Sequence, residues 1–242
     1  MISIFKKELR SYLSSLIAII VIVVFLIANG LFIWVFRETN ILDGGYANID
    51  PLFELAPIIF IFFFFFFTMR LFSEEKKSGT FEILTTKPLT DLSIIMGKFL
   101  AALTVVIFAI LPTVLYYYTV YQLAVPKGNI DTGAILGSYT GLVLLSAAYI
   151  SIGMFCSVIT DNQIVAFIIS MFLCFFIYVA FDYLGSFSFL KSNQFFIEWF
   201  GINYHYRSLS KGVIDTRDIV YFISLITLFI WITKIVFSSR KW

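Results

Sequence analysis

Long apolar runs alternate with short polar segments along this chain, and run length decides the fold class. A bilayer core of about 30 Å needs about 20 apolar residues per helix, and apolar runs predict spanning helices over 14–36, 98–121, 133–159 and 163–184, with Lys98 and Asp182 as their only charges, each close to an end. Two further runs carry charge near an end: 52–72 holds Glu54 and Arg70, and 219–237 holds Lys234. Long basic side chains there can snorkel to the interface. Ahead of the first run, Ile2, Phe5, Leu9 and Tyr12 recur at spacings of three to four, with Lys6, Lys7 and Arg10 off that stripe. This is the pattern of an amphipathic helix over 1–13 lying on the membrane surface. Anchoring to anionic lipid and contact with a partner are both open to it. The pattern as a whole predicts an all-α integral membrane protein of six transmembrane helices, an N-terminal interface helix and one short helix in a polar block. It forms a single membrane domain over 1–242.

Composition narrows the class. With 60% hydrophobic and 13% charged residues and a mean hydropathy of +0.96, no room remains for a soluble catalytic domain among the 242 residues. A net charge of +2 gives no reason to invoke nucleic acid. Cys156 and Cys174 lie inside apolar runs and read as small packing residues. The run from Ser11 to Phe36 exceeds a signal-peptide core and is followed by no small-residue cleavage pattern, which predicts a retained first span. With six spans both termini share a side. That side collects Lys6, Lys7, Arg10, Arg70, Lys76, Lys77, Lys87, Lys98, Lys234, Arg240 and Lys241, against Arg37, Lys127, Lys191, Arg207, Lys211 and Arg217 opposite. The bias predicts cytoplasmic termini.

The polar block between the second and third runs, 73–91, has its own logic. Ser73 to Lys77 prolongs the second helix, Ser78-Gly79 breaks it, and Thr80 to Thr86 can form about two turns. Lys87-Pro88 ends that element, and Thr90 and Asp91 cap the next helix. Phe81, Ile83 and Leu84, with Glu82, would stand beyond the bilayer on a two-turn helix. A groove on a soluble partner accounts for them; folding back onto the membrane surface is the alternative.

Other positions admit two readings each. Pro57 and Pro112 inside spans are hinges or packing kinks. Asp182 and Glu54 fall near outer helix ends, where Asp182 lines a pathway or sits in the interface. The aromatic run Phe62 to Phe67 fits lipid contact and packing. The segment 185–218, with Phe195, Phe196, Trp199 and Phe200 around Glu198, is too aromatic for a hydrated linker and suits a re-entrant or interfacial position. His205, the one histidine, reads as an interface residue rather than a metal ligand.

Several chemistries are disfavoured. Gly97-Lys98 is followed by phenylalanine and lacks the upstream glycine of a phosphate-binding loop. Gly137-Ser-Tyr-Thr-Gly141 has its serine in the wrong place for a nucleophile elbow. No H-E-x-x-H is present, so a metal site and enzymatic activity in this chain are not expected. A stand-alone secondary carrier would need midplane ionisable groups and inverted repeats, and neither is visible.

The stretch Glu75 to Thr90, Glu-Lys-Lys-Ser-Gly-Thr-Phe-Glu-Ile-Leu-Thr-Thr-Lys-Pro-Leu-Thr, followed by Gly97-Lys98, resembles the cytoplasmic loop of ABC-2 type transporter permeases. His205 to Phe222 is similar to the last loop and final helix of single-domain subunits of that family, most like the gliding-motility-associated permease of bacteria. The resemblance implies that the polar block holds a cytoplasmic coupling helix seated in a cleft of a separate soluble ABC ATPase. Phe81, Glu82, Ile83 and Leu84 would make the contact, with Glu75 and Lys77 on the approach. It implies no cofactor in this chain, with ATP and Mg in the partner, and a second permease half, either homodimeric or heteromeric. The expected location is the bacterial inner membrane. An ATP-driven mechanotransmission or scaffold subunit, moving an extracytoplasmic partner without transporting a solute, is the alternative function.

Overall fold

In the computed structural model, which describes residues 1–42, 47–63, 65–80, 89–186 and 194–239, helices carry the architecture and no strand occurs among the described residues. The N-terminal helix α1 (Ile2–Ser14) stops where Ser15 takes extended geometry, φ −81° and ψ 120°, and α2 (Leu16–Trp34) begins immediately after. The second span is segmented into α3 (Asp50–Phe63), α4 (Phe65–Thr68) and α5 (Arg70–Lys77). The third runs as α6 (Asp91–Ile110), a 3₁₀ turn at Leu111–Thr113, and α7 (Val114–Leu123). Then come α8 (Thr132–Ile159), α9 (Gln163–Ser186), two short helices α10 (Gln194–Glu198) and α11 (Ile202–Ser210), and α12 (Thr216–Ser239). Among the described residues, six helices are long and apolar enough to cross a bilayer. The chain is an all-α, multi-pass integral membrane protein.

Several helices extend beyond the apolar runs at their polar ends. Apolarity ends where the bilayer does, whereas a helix continues until its backbone groups find other partners. The third span therefore starts at Asp91, where the Thr90 hydroxyl accepts from the Ser93 amide at 3.3 Å. The second persists to Lys77 and closes at Gly79, whose φ of +69° a side chain would resist. Pro112 lies in the 3₁₀ turn, where the missing amide is tolerated. There Thr113 Oγ1 donates to the Ile110 carbonyl at 2.7 Å and lies 3.1 Å from the Tyr139 hydroxyl. Pro57 is buried within α3.

The axis of the bundle is α8. Its most apolar window is 78% buried, against 28% for α2 and 22% for α9 and α12. Small residues make that place possible, because in lipid the close approach of backbones replaces hydrophobic driving force. A Cβ on Gly141 would lie 2.6 Å from Leu209 Cβ of α11, and one on Gly137 would lie 2.5 Å from the Gly212 carbonyl oxygen. Nearer the other end, Gly153 receives Thr68 of α4 so closely that no side chain fits between them. Thus Gly137-Ser-Tyr-Thr-Gly141 is a packing notch for the turn after α11, and Ser138 Oγ fastens it by donating to the Ser210 carbonyl at 2.8 Å.

The two ends differ. The distal end carries α10 and α11; the proximal end carries α1, α5 and the start of α6. At the distal end Tyr206 reaches under α3 to donate to the Phe53 carbonyl at 2.8 Å. Substituting Gly137→Ala forces its new methyl against a backbone carbonyl that cannot rotate away. We expect a loss of about 1–3 kcal/mol, read as a lower thermal midpoint in detergent. Gly30→Ala, whose Cβ would sit 3.4 Å from the Tyr116 hydroxyl, should change that midpoint little or raise it slightly.

Candidate functional site

Charged side chains converge at the proximal end, where the polar block leaves the bundle. The helix α1 lies against α6, close enough that a Cβ on Gly97 would sit 3.1 Å from Ile4. Its buried residues are Ile4, Glu8 and Tyr12, one turn apart. The apolar stripe read from sequence, Ile2, Phe5, Leu9 and Tyr12, is therefore rotated from the face that packs on protein. Ile2 is 67% exposed, and Phe5 and Leu9 are half-buried, so most of that stripe does not pack into the bundle, and Lys6 and Arg10 are exposed beside it.

Glu8 turns inward because Lys98 is there. The Lys98 side chain is 1% exposed, one helical step past Gly97. Its ammonium lies 3.1 Å from Glu8 Oε1 and 2.9 Å from Glu75 Oε1, donates to the Leu71 carbonyl at 2.6 Å, and sits 5.2 Å from the Phe72 ring centroid. Lys7 closes the figure at 3.4 Å from Glu8 and 3.2 Å from Glu75. The result is a ring of alternating charge, Lys7, Glu8, Lys98, Glu75, with no net charge. It joins α1, the end of the second span and the start of the third. Burial alone would lower the Lys7 pKa, but Glu8 and Glu75 outweigh it and the net direction is up from 10.5. That raised value gives a contribution intact below pH 10.5 and lost only as the pH rises beyond it, so the Lys7 corner does not titrate near neutrality.

A second set of bonds repairs the break in the second span. Ser157 Oγ, on α8, accepts from the Phe72 and Ser73 amides at 3.0 and 3.1 Å and donates to the Met69 carbonyl at 3.1 Å. Ser73 also donates to that carbonyl. Lys76, whose side chain is 6% exposed, donates to the Val158 carbonyl and lies 3.3 Å from Asp161, a cation on the C-terminal carbonyls of α8. Tyr12 donates to the Phe67 carbonyl at 2.8 Å. Burial first, and Glu8 second, hold its phenol pKa well above the ordinary value, so it serves as a neutral donor. Asp91 accepts from Ser238 at 3.0 Å and ties the start of α6 to the end of α12.

The residues singled out from sequence distribute as follows. Phe81, Glu82, Ile83 and Leu84 lie outside the described residues. Lys77 is exposed at the end of α5, while Glu75 is buried in the charge ring. One of its oxygens, Oε2, is buried with no hydrogen-bond partner among the described residues, an acceptor whose desolvation is uncompensated. Asp182, near the end of α9, accepts from Asn203 and from Arg207 at 3.2 Å and so holds α11. His205 is 1% exposed. Its Nε2 donates to the Trp199 carbonyl at 2.8 Å, its Nδ1 lies 2.7 Å from Asp218 Oδ1, and Tyr221 stacks on the ring at 3.9 Å. This pins α11 and the residues after α10 to α12. Glu8, Lys98, Ser157 and Asp218 were not singled out from sequence as members of a site. A carboxylate on an interface helix and a lysine inside an apolar run were the available signals, since each needs a countercharge once buried.

The family comparison agrees with this architecture. A family model described as ABC-2 family transporter protein matches residues 43–206, well over half of the chain, including the polar block and α8. The chain belongs to the ABC-2 transporter family. Among curated proteins none matches it.

The ring predicts a specific pattern of stability. Lys98→Met leaves Glu8 and Glu75 facing each other in a buried site and should cost about 3–5 kcal/mol, seen as a large drop in thermal midpoint in detergent. Adding Glu8→Gln and Glu75→Gln to Lys98→Met should restore much of the loss. Equal losses in the single and triple variants would mean that the lysine acts through packing rather than charge.

Proposed function

We propose that this chain is the transmembrane permease subunit of an ABC transporter complex, in which a separate soluble ATPase binds and hydrolyses ATP with Mg. Membership of the ABC-2 family makes the permease assignment; coupling to the ATPase is our reading. The observation that carries it is the charge ring. The two ends of the polar block leave the bundle at Glu75 and just ahead of Lys98, which meet at 2.9 Å and are both held to α1 through Glu8. A displacement of the segment between them would move α1, the second span and the third together. The Glu75 oxygen that is buried with no hydrogen-bond partner among the described residues supports a cluster that can rearrange, since another arrangement could satisfy it.

In this reading Phe81, Glu82, Ile83 and Leu84 form the coupling contact, with Lys77 exposed on the approach. Glu75 acts behind that contact, inside the bundle. A differential affinity of the ATPase for two permease conformations is what drives the change. One six-helix chain supplies half of such a machine, so a second copy or a related membrane subunit completes it. The basic residues Lys6, Lys7, Arg10, Arg70, Lys76, Lys77 and Lys98 gather at the proximal end, which supports cytoplasmic termini in a bacterial inner membrane. The likeness of 75–90 and 205–222 to gliding-motility permeases supports that branch as the narrower assignment.

The test is affinity purification of the chain in mild detergent from its native cell, with recovery of a soluble ATPase as the readout. Phe81→Ala with Leu84→Ala should reduce co-purified ATPase by at least about tenfold, the loss of two hot-spot side chains, with the thermal midpoint of the membrane body unchanged. Full retention of the ATPase by that double variant, or recovery of the chain with membrane partners alone, would overturn the reading.

A further inference from the structure

His205 is the one histidine of the chain and is 1% exposed, inside the cap that α10 and α11 form at the distal end. Both of its ring nitrogens meet oxygens. Nε2 lies 2.8 Å from the Trp199 carbonyl, which can only accept, and Nδ1 lies 2.7 Å from Asp218 Oδ1. A neutral imidazole carries one N–H and one lone pair, so either tautomer would press a lone pair against an acceptor oxygen in a buried site. A ring and carboxylate that hold one further proton between them satisfy both contacts. The stacking agrees with that proton: Tyr221 lies nearly parallel to the ring, centroids 3.9 Å apart and planes at 21°, the placement that a π-face offers a cation.

The neighbouring groups leave the proton to this pair. Asp218 is 6% exposed in the first turn of α12, where the helix dipole favours a carboxylate. The helices α3, α8 and α9 also pack on α11, but their polar contacts with it lie elsewhere. Tyr206 donates to the Phe53 carbonyl, Ser138 donates to the Ser210 carbonyl, and Asp182 accepts from Asn203 and Arg207. Glu198, beside Trp199, accepts from Gln194 at 2.8 Å, and Glu54, Lys211, Asp215 and Arg217 are exposed. Among the described residues, none of these side chains bonds to the imidazole or to the Asp218 carboxylate.

We propose that His205 and Asp218 form a proton-held latch, which fastens the distal cap to α12 while the proton is bound and releases it when the proton leaves to solvent. The imidazole joins three segments: the turn after α10 through Trp199, α11 through its own backbone, and α12 through Asp218. Tyr221 closes the same seam by donating to the Phe200 carbonyl at 2.8 Å. Loss of the proton turns one of the two ring hydrogen bonds into an unsatisfied contact inside that seam. The latch uses neither the charge ring nor the segment 81–84, so it stands apart from the coupling reading.

A single histidine makes the test direct. The full chain, carrying isotope-labelled histidine in detergent, is followed by nitrogen NMR from about pH 5 to about pH 9, on both sides of the ordinary histidine value of about 6.5. At neutral pH both ring nitrogens should carry protons. As that signature disappears at higher pH, the amides of Ile202–Ser210 should exchange with solvent about tenfold faster than the pH change alone dictates, the effect of one lost hydrogen bond. Amides of α8 should show no such step. Asp218→Asn supplies an amide N–H to an unprotonated Nδ1 and leaves the Nε2 proton on the Trp199 carbonyl, so in that variant the cap should stay protected across the whole range. Lys211→Gln, at the exposed end of α11, should behave as the unaltered chain. Two results would each overturn the proposal. One is a neutral, single-tautomer ring at neutral pH with the cap fully protected. The other is an exchange step in Asp218→Asn equal to that of the unaltered chain, which would place the titrating group elsewhere. Should Asp218→Asn fail to fold, the ring-nitrogen spectrum of the unaltered chain decides alone.

Discussion

A lysine ammonium with 1% of its side chain exposed, at the head of a membrane helix, sets the terms for the proximal end of this protein. Charge in a low-dielectric interior is tolerated only when paired and fully hydrogen-bonded, and Lys98 obtains its partners from two elements. Glu75 and the Leu71 carbonyl come from the second span and Glu8 from the N-terminal helix, while Lys7 balances the surplus negative charge. The requirement explains why α1 turns a carboxylate inward, why Gly97 stands where α1 crosses α6, and why the second and third spans stay together beyond the bilayer. An apolar residue at 98 would leave the third span without its charged tie to the other two, which would keep only the Lys7–Glu75 pair and the Tyr12–Phe67 bond between them.

The same economy governs the rest of the bundle. Lipid offers no hydrophobic gain for pressing one apolar helix on another, so the central helix α8 is built from notches and hydroxyls. Gly137, Gly141 and Gly153 admit α11 and α4 at distances no side chain would allow. Ser138 and Ser157 supply hydrogen bonds at the two ends of the same helix. At one end α8 holds the cap formed by α10 and α11. At the other it holds the broken second span beneath the polar block. A single helix therefore touches both regions of the chain that depart from simple spanning helices.

Charge is divided by role at the proximal end. The closed ring uses Lys7 and Lys98, and Lys76 sits on the C-terminal carbonyls of α8. Paired charges of this kind fix protein to protein. The N-terminal helix meets the bundle through the face bearing Ile4, Glu8 and Tyr12 and leaves Ile2 exposed, with Phe5 and Leu9 half-buried.

How much of this was legible beforehand depended on the range of the physics. Six apolar runs fixed the class and the number of spanning helices, because the cost of leaving backbone groups unpaired in lipid leaves a run of that length no alternative to a helix. Thr90 as a cap and Gly79 as a stop were equally local, each answering to one helix end. The resemblance carried by 75–90 pointed to the family that the match over 43–206 established. The face of α1 that packs inward, the partners of Lys98 and His205, and the notch at Gly137 and Gly141 lay beyond such reasoning. Each pairs residues many positions apart, as Glu8 with Lys98, and helical periodicity records only that a face is apolar, not which neighbour it will meet. The sequence by itself determined that the chain is an all-α membrane protein of six apolar helices. Only the tertiary structure decided which charges were to be buried together, because that choice is made by the desolvation of both partners at once.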